Sequence, residues 1–316
     1  MTKILQGVSI KDFMPFSSRS FCEDVRSGVL VVDGAMGTVL YERGAFLNRA
    51  FEELNSSNPN LVFEVHSAYV NAGADIIESN TFAANRMKLG NFGLQDEVAN
   101  LNAAGVALAR SAAGEDVFVA GSMGPLGSLS PPEGAIERDR AIEIFREHAE
   151  ALIETGSIDI FILETFSSLA ELRLAVRAIR LITAIPVVAQ VMTDNTGCTN
   201  DGATPEIIAK SLVEEGSDLI GVNCGDGPAS MLVVLDQFCE VSTVPLAAQP
   251  NAGYPRRVDG RTLYLSSPDF IASYARRFMN LGVRLVGGCC GTTPEHTESI
   301  RRAIKRASCE ATDEKL

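Results

Sequence analysis

Short apolar runs alternate with longer amphipathic segments along most of the chain. Each run is rich in Val and Ile and ends in small or polar residues, which is typical of a buried parallel strand followed by a loop. The segments between the runs repeat apolar residues at helical spacing, as in residues 140–156 and 169–184. The predicted strands lie within residues 29–36, 75–81, 117–123, 158–166, 186–192, 218–225, 244–253 and 283–291.

Glycine and proline mark the boundaries of the predicted helices. A glycine precedes the next strand in "NAGAD" at 71–75 and in "EEGSD" at 214–218, the usual signal of a helix C-terminus. The sequence "TPE" at 204–206 and 293–295 indicates helix starts, with Thr as cap and Pro in the first turn. Strand–helix units repeated eight times predict an α/β fold, a single (β/α)8 TIM barrel. A doubly wound open sheet is the alternative, but the GxGxxG fingerprint is absent.

The repeat also predicts the domain organisation. We expect residues 1–27 to be a short N-terminal extension that covers the N-terminal end of the barrel. Residues 28–307 would form the barrel, and residues 308–316 a polar tail or linker.

Composition narrows the class of protein. The 316 residues are 46% hydrophobic and 21% charged, as in soluble globular proteins. No apolar run approaches the roughly 20 residues of a membrane helix, and the N-terminus lacks the features of a signal peptide, so we expect a cytoplasmic protein. The net charge of −13, without a basic cluster, argues against a nucleic-acid partner.

The cysteine pattern indicates reduced thiols. The number is odd, the chain is long and nothing indicates secretion, so a disulfide framework is disfavoured. Cys22, Cys239 and Cys309 are interpreted as small buried hydrophobic residues.

Three other cysteines stand where strands end. Cys224 closes the sixth apolar run, and Cys289 and Cys290 close the eighth within "GGCCG". Only one strand separates these two ends in a closed barrel, so the thiols would meet at one rim, where such barrels carry their active sites. Three thiolates favour zinc, and three protein ligands leave the open position of a catalytic site. A vicinal pair of packed or redox-active thiols is the alternative, and Cys198 is a candidate fourth thiol.

Two carboxylates also end predicted strands. Asp33 follows "VLVV" and Glu164 follows "IFIL", so both would be partly desolvated at the barrel mouth. Such carboxylates need cationic or hydrogen-bonding partners. One interpretation is a salt bridge to a loop arginine; the other is that the pair holds the ammonium of an amino acid while backbone N–H groups of "DGAMG" bind its carboxylate. The histidines fall in predicted helices, and HExxH, GxSxG and Walker sequences are absent.

Taken together, "DGAMGT" (33–38), "NTF" (80–82), "LETF" (163–166), "GVNC" (221–224), "PNAG" (250–253) and "GGCCGTTPEH" (287–296) resemble the homocysteine S-methyltransferase family. The resemblance runs from about residue 28 to residue 307. It is equally close to the N-terminal homocysteine module of cobalamin-dependent methionine synthases and to the first half of bifunctional homocysteine methyltransferase/methylenetetrahydrofolate reductases.

The resemblance implies a zinc-dependent methyltransferase that holds homocysteine as a zinc-bound thiolate. Asn251 matches a position that fills the open zinc site of some members before substrate arrives. Betaine-type relatives carry an aromatic residue where this chain has Thr165, which weakens the betaine reading. The implied zinc ligands are Cys224, Cys289 and Cys290, and the implied substrate contacts are Asp33, Gly34, Ala35, Asn80, Thr81 and Glu164.

The methyl donor is left open by the sequence. It contains no DxHxxG cobalamin motif, so the methyl group would come from methylcobalamin or methyltetrahydrofolate through a partner or missing domain. S-methylmethionine and betaine are alternative donors for the same acceptor chemistry. A redox-active vicinal-thiol protein and a zinc hydrolase are the alternatives from other classes.

Overall fold

The computed structural model describes residues 20–46, 48–127, 136–258 and 261–313. The strands are β1 (Leu30–Val31), β2 (Ile76–Glu78), β3 (Phe118–Met123), β4 (Ile160–Phe166), β5 (Val187–Val191), β6 (Leu219–Cys224), β7 (Leu246–Pro250), β8 (Arg256–Val258), β9 (Arg261–Leu263) and β10 (Val283–Val286). The helices are α1 (Phe21–Ser27), α2 (Gly37–Glu42), α3 (Leu54–Ser57), α4 (Pro59–Asn71), α5 (Arg86–Gly90), α6 (Val98–Ala113), α7 (Arg138–Glu154), α8 (Leu169–Arg180), α9 (Pro205–Glu214), α10 (Pro228–Val241), α11 (Pro268–Asn280) and α12 (Pro294–Asp313), and a 3₁₀ turn spans Phe51–Glu53.

Eight parallel strands form the barrel. The order of the sheet is β1-β10-β7-β6-β5-β4-β3-β2, and a parallel bridge between Val32 and Ile76 joins its two ends. Each predicted apolar run contains one of these strands. The prediction of a single (β/α)8 barrel is therefore confirmed.

Alternate residues of the barrel strands contribute to two different hydrophobic cores. One set faces the helices, as Val31 and Ile77 do. The other set fills the barrel interior, and two residues of α1, Phe21 and Val25, join it. The Phe21 ring meets the ring of Phe118, the first residue of β3, edge-on at 5.8 Å. Helix α1 therefore covers the N-terminal end of the barrel, and the opposite end carries the site.

The structure departs from the sequence predictions in four places. Cys239 and Cys309, interpreted from the sequence as small buried residues, are both exposed, because they lie near the C-terminal ends of α10 and α12. Helix α8 ends at Arg180 rather than near residue 184, where β-branched residues and Pro186 follow. Helix α12 continues to Asp313, because no glycine or proline interrupts it, so residues 308–313 of the predicted tail are helical. Strands β8 and β9 form an antiparallel hairpin that the apolar pattern did not indicate.

Residues 1–19 and 314–316 lie outside the described residues, so the extent of the N-terminal extension and of the tail stays a prediction. Among the described residues, no helix combines the length and apolar character needed to cross a membrane.

Candidate active site

Three thiols converge at the C-terminal end of the barrel. Cys224 is the last residue of β6, while Cys289 and Cys290 lie just beyond the end of β10. Their Sγ atoms all lie within 4.8 Å of one another. Sulfurs that share one zinc ion through bonds of about 2.3 Å have separations of this size. Within the described part of the chain, Cys198 does not belong to this group.

The chain leaves strand geometry to present two adjacent cysteines. The Cys289 N–H donates to the Pro250 carbonyl at 2.8 Å, so this segment stays attached to the end of β7. Gly291 then has a φ of +77°, which places it in the left-handed region that glycine tolerates best. A Cβ at Gly291 would also collide with the side chain of Tyr264. The glycine after the cysteine pair is therefore required on two counts.

The thiols are coupled electrostatically. Hydrogen bonds from Cys289 and Cys290 lower the pKa of Cys224 to about 3. The same contact raises the pKa of Cys290 to about 12, and that of Cys289 well above its usual range. Three such groups titrate as a unit, so the cluster holds one negative charge readily and resists the second and third. A bound cation would stabilise those further charges, and thiolate ligands favour zinc.

Two predicted carboxylates lie near these thiols in one cavity. The Asp33 Oδ2 atom accepts the backbone N–H of Glu78 at 3.0 Å, whereas its buried Oδ1 atom has no hydrogen-bond partner within the described ranges. Glu164 Oε1 accepts a hydrogen bond from the Ser122 hydroxyl at 2.5 Å. Burial raises the pKa of both carboxyl groups. The described residues provide no salt bridge to either group, which leaves both available for a ligand cation.

Glu78 is a third buried carboxyl group that the sequence analysis missed. It ends β2, and it hydrogen-bonds the carboxyl group of Glu164. Its Oε1 atom accepts from Gln249 Nε2 at 2.5 Å, and the oxygen of Gln249 accepts from the amide of Gln190. Burial, and then the charges of Glu164 and Asp33, raise the pKa of Glu78 well above its usual range. A carboxyl–carboxyl hydrogen bond needs a proton, and this contact raises the pKa of Glu78 while it lowers that of Glu164, so Glu78 is the donor of the pair.

A bulge in β4 turns Glu164 toward the cavity. Leu163 pairs with Ala189 and Phe166 with Val191, so two residues of β4 lie opposite one residue of β5. The second of these, Thr165, has a φ of +62°. As a result, the neighbours Glu164 and Thr165 both line the cavity instead of pointing to opposite faces of the sheet.

The cavity has a volume of about 540 Å³ and contains nearly all of the predicted site. The hairpin contributes Arg257 and Thr262 to its mouth. Sequence reasoning missed these two residues because they belong to a charged loop without an apolar run. The predicted residues among those that line it are Asp33, Gly34, Ala35, Asn80, Glu164, Cys224, Cys289 and Cys290.

Two predicted residues lie beside the cavity. The hydroxyl of Thr81 donates to the Ser122 carbonyl at 2.8 Å, so Thr81 supports the cavity wall. Asn251 hydrogen-bonds Cys224 and donates to the Gly225 carbonyl at 2.6 Å. Its buried Oδ1 atom has no partner among the described residues. The side chain that contacts Cys224 therefore carries a buried oxygen atom that no described residue engages.

Two predicted contacts are already engaged with the protein. The backbone N–H of Ala35 donates to Thr292 Oγ1 at 3.1 Å. The side-chain amide of Asn80 donates to Phe51 and Asn55 at 2.9 Å each. The amide of Asn80 therefore fixes the loop after β2, and the residue lines the cavity through its remaining surface.

The chain is similar in sequence to known methyltransferases. The sequence model described as homocysteine S-methyltransferase matches residues 30–304. Methionine synthase of Mycobacterium leprae is 33% identical, with 90% of this chain and 25% of that protein covered. For methionine synthase of Mycobacterium tuberculosis the identity is 34%, with 87% and 24% covered. The chain thus spans about a quarter of the length of these curated relatives.

A solved structure shares the fold. The metallated form of the homocysteine methyltransferase MmuM from Escherichia coli superposes with a TM-score of 0.75 at 24% identity. The match covers 88% of this chain and 99% of that one. At this level of identity the likeness supports the barrel architecture.

Proposed function

The chain belongs to the homocysteine S-methyltransferase family, and we propose that it activates homocysteine as a thiolate for methyl transfer that yields methionine. The observation that carries this proposal is the joint placement, in one cavity, of three thiols that could hold a metal ion and of two buried carboxyl groups that form no salt bridge with the described residues. The thiols would hold the reacting end of the substrate, and the carboxylates its amino-acid end.

The thiol cluster fits a zinc ion. Cys224, Cys289 and Cys290 supply three soft ligands within 4.8 Å, and the unpartnered Oδ1 of Asn251 is suited to the fourth position before substrate arrives. When bound, zinc would deprotonate the homocysteine thiol and keep the sulfur nucleophilic in an electron-rich thiolate site. We therefore also propose that the activity depends on zinc. We further propose that the protein works in the cytoplasm, where thiols stay reduced.

The carboxylates would select the substrate by its ammonium group. Asp33 Oδ1 is buried and has no partner among the residues that the structure describes, and Glu164 is stabilised as an acceptor by Ser122. An ammonium bound between them forms charge-assisted hydrogen bonds and removes the cost of burying these charges. No protein base is required at the sulfur, so Asp33 and Glu164 act in binding.

The loop after β1 would receive the substrate carboxylate. Residues 34–38 line the cavity, and the backbone N–H groups at the start of α2 have no preceding turn to donate to. The N–H of Ala35 is excluded from this role because it donates to Thr292. The substrate would therefore lie across the barrel mouth, from this loop to the thiols.

We propose methylcobalamin, presented by another domain or protein, as the methyl donor. The resemblance to the homocysteine module of cobalamin-dependent methionine synthases supports this choice, and so do curated relatives named methionine synthase. Methyltetrahydrofolate would then be the earlier methyl source.

A methyl-transfer assay tests the proposal. The zinc-loaded protein is given homocysteine with methylcobalamin, S-methylmethionine or betaine in separate reactions, and methionine is quantified. We expect methionine from methylcobalamin. Methionine from one of the other donors alone would overturn the donor assignment, and hydrolytic activity without any thiol binding would overturn the function.

A further inference from the structure

Asn223 forms hydrogen bonds both to the bulge that carries Glu164 and to the thiol cluster. This buried residue precedes Cys224 at the end of β6. Its Oδ1 atom accepts the backbone N–H of Thr165 at 2.7 Å, and its Nδ2 atom donates to Thr165 Oγ1 at 2.8 Å. The same Nδ2 atom donates to the sulfur of Cys289 at 3.7 Å. The backbone N–H of Thr165 fixes the orientation of the amide, because only Oδ1 can accept from it.

The two hydrogen bonds between Asn223 and Thr165, the first arm of this contact, stabilise an unfavourable backbone conformation. Thr165 is β-branched, and a positive φ at such a residue is a genuine outlier. Asn223 bonds the backbone and the side chain of Thr165 simultaneously, which compensates for that strain. The strained residue forms the bulge that places Glu164 in the cavity. Removal of the amide would allow the bulge to relax and Glu164 to turn away.

The hydrogen bond from Asn223 to the sulfur of Cys289, the second arm, contacts a candidate metal ligand. An N–H donor to a thiolate sulfur stabilises its charge and orients it, and partners of this kind affect metal affinity. Asn223 is therefore the one side chain in the described hydrogen-bond network that contacts both the bulge and the thiol cluster.

We infer that Asn223 is a positioning residue that sets the distance between the ammonium-binding carboxylate and the metal-bound sulfur. The inference rests on the proposed function for the identity of its substrate. Its two arms are separable, because the bulge depends on Thr165 while the sulfur contact depends on the amide N–H alone.

Two binding constants test both arms in the zinc-loaded protein. One is the zinc affinity, measured by competition with a chromogenic chelator. The other is amine selectivity, the ratio of the dissociation constants of γ-mercaptobutyrate and homocysteine measured by calorimetry. The variants are Asn223→Ala, Thr165→Gly and the double variant. Asn102→Ala is the matched control, because Asn102 is also buried and donates two hydrogen bonds, to Ala84 and Val98.

The expected pattern separates positioning from folding. Asn223→Ala should lower both amine selectivity and zinc affinity by about tenfold or more, the scale of losing hydrogen bonds to charged or buried groups. The double variant should recover selectivity to within about threefold of Thr165→Gly, because glycine adopts a positive φ without strain. It should not recover zinc affinity. Asn102→Ala should change neither quantity.

Other outcomes overturn the inference. Unchanged binding constants in Asn223→Ala would contradict it. A double variant that recovers neither zinc affinity nor amine selectivity would also contradict it, as would a double variant that recovers both. If Asn223→Ala does not fold, Asn223→Asp serves instead: it keeps the acceptor for Thr165, loses the donor to sulfur, and should weaken zinc binding while retaining selectivity. A loss of selectivity in Asn223→Asp with zinc binding intact would contradict the inference. Absence of amine selectivity in the unmodified protein would refute the proposed function instead.

Discussion

Replacing His66 with leucine should make the protein less sensitive to acid. His66 lies on α4 and is fully buried, and in the part of the chain that the structure describes neither ring nitrogen has a hydrogen-bond partner. Burial lowers its pKa from 6.5 to about 4. The unfolded chain therefore binds a proton that the folded protein excludes as the pH falls from 6.5 to 4. Stability is complete above the unfolded pKa and decreases below it, by about 3 kcal/mol at the folded pKa.

Urea unfolding at several pH values measures this effect. The free energy of unfolding of the unmodified protein should fall more steeply below pH 6.5 than that of His66→Leu, with a difference of about 3 kcal/mol near pH 4. Asp33, Glu78 and Glu164 have raised pKa values and so give the opposite slope, but they are the same in both proteins. Val62→Ala, a buried change on the same helix, should lower stability equally at every pH. Parallel curves for His66→Leu and the unmodified protein would refute this reasoning.

Other predictions concern the site. Glu164→Gln should weaken homocysteine binding about tenfold to a hundredfold without loss of zinc, because a charge-assisted hydrogen bond is lost; equal affinity by calorimetry would contradict this. Glu78→Gln should retain affinity to within about threefold, because the raised pKa of Glu78 favours the neutral carboxyl group that an amide mimics, and it should remove an infrared band of a protonated carboxyl group; a loss as large as that of Glu164→Gln would show that Glu78 is ionised. Cys290→Ser should leave the purified protein without stoichiometric zinc by elemental analysis, whereas full occupancy would exclude Cys290 as a ligand. Gly288→Ala should lower zinc affinity and thermal stability, because a Cβ there would collide with Thr292; unchanged values would show that the loop adapts.

Much of this site could be predicted because its chemistry lies at strand ends. Cys224, Asp33 and Glu164 each follow a buried apolar run, and a parallel barrel brings all such ends to one rim. Glu78 carries the same signal after Ile76 and Ile77, and it could have been found by the same rule. It was missed because the polar residues Ser79 and Asn80 follow Glu78 directly, so the sequence does not single out one polar residue as the end of the strand.

The remaining features depend on backbone geometry that apolar periodicity does not encode. A threonine with a positive φ follows no local sequence rule, and the residue that bonds to the bulge at Thr165, Asn223, lies far away in sequence. The β8–β9 hairpin is likewise short, charged and exposed, so its contribution of Arg257 to the cavity arises only from the folded chain.

X-ray absorption at the zinc edge can show whether the homocysteine sulfur becomes a ligand of the metal. The reduced, zinc-loaded protein is measured alone and with homocysteine. We predict three sulfur ligands with one lighter ligand in the free protein and four sulfur ligands after homocysteine is added, with release of a proton. A zinc shell that keeps its lighter ligand in the presence of saturating homocysteine would contradict activation of the thiol by this site.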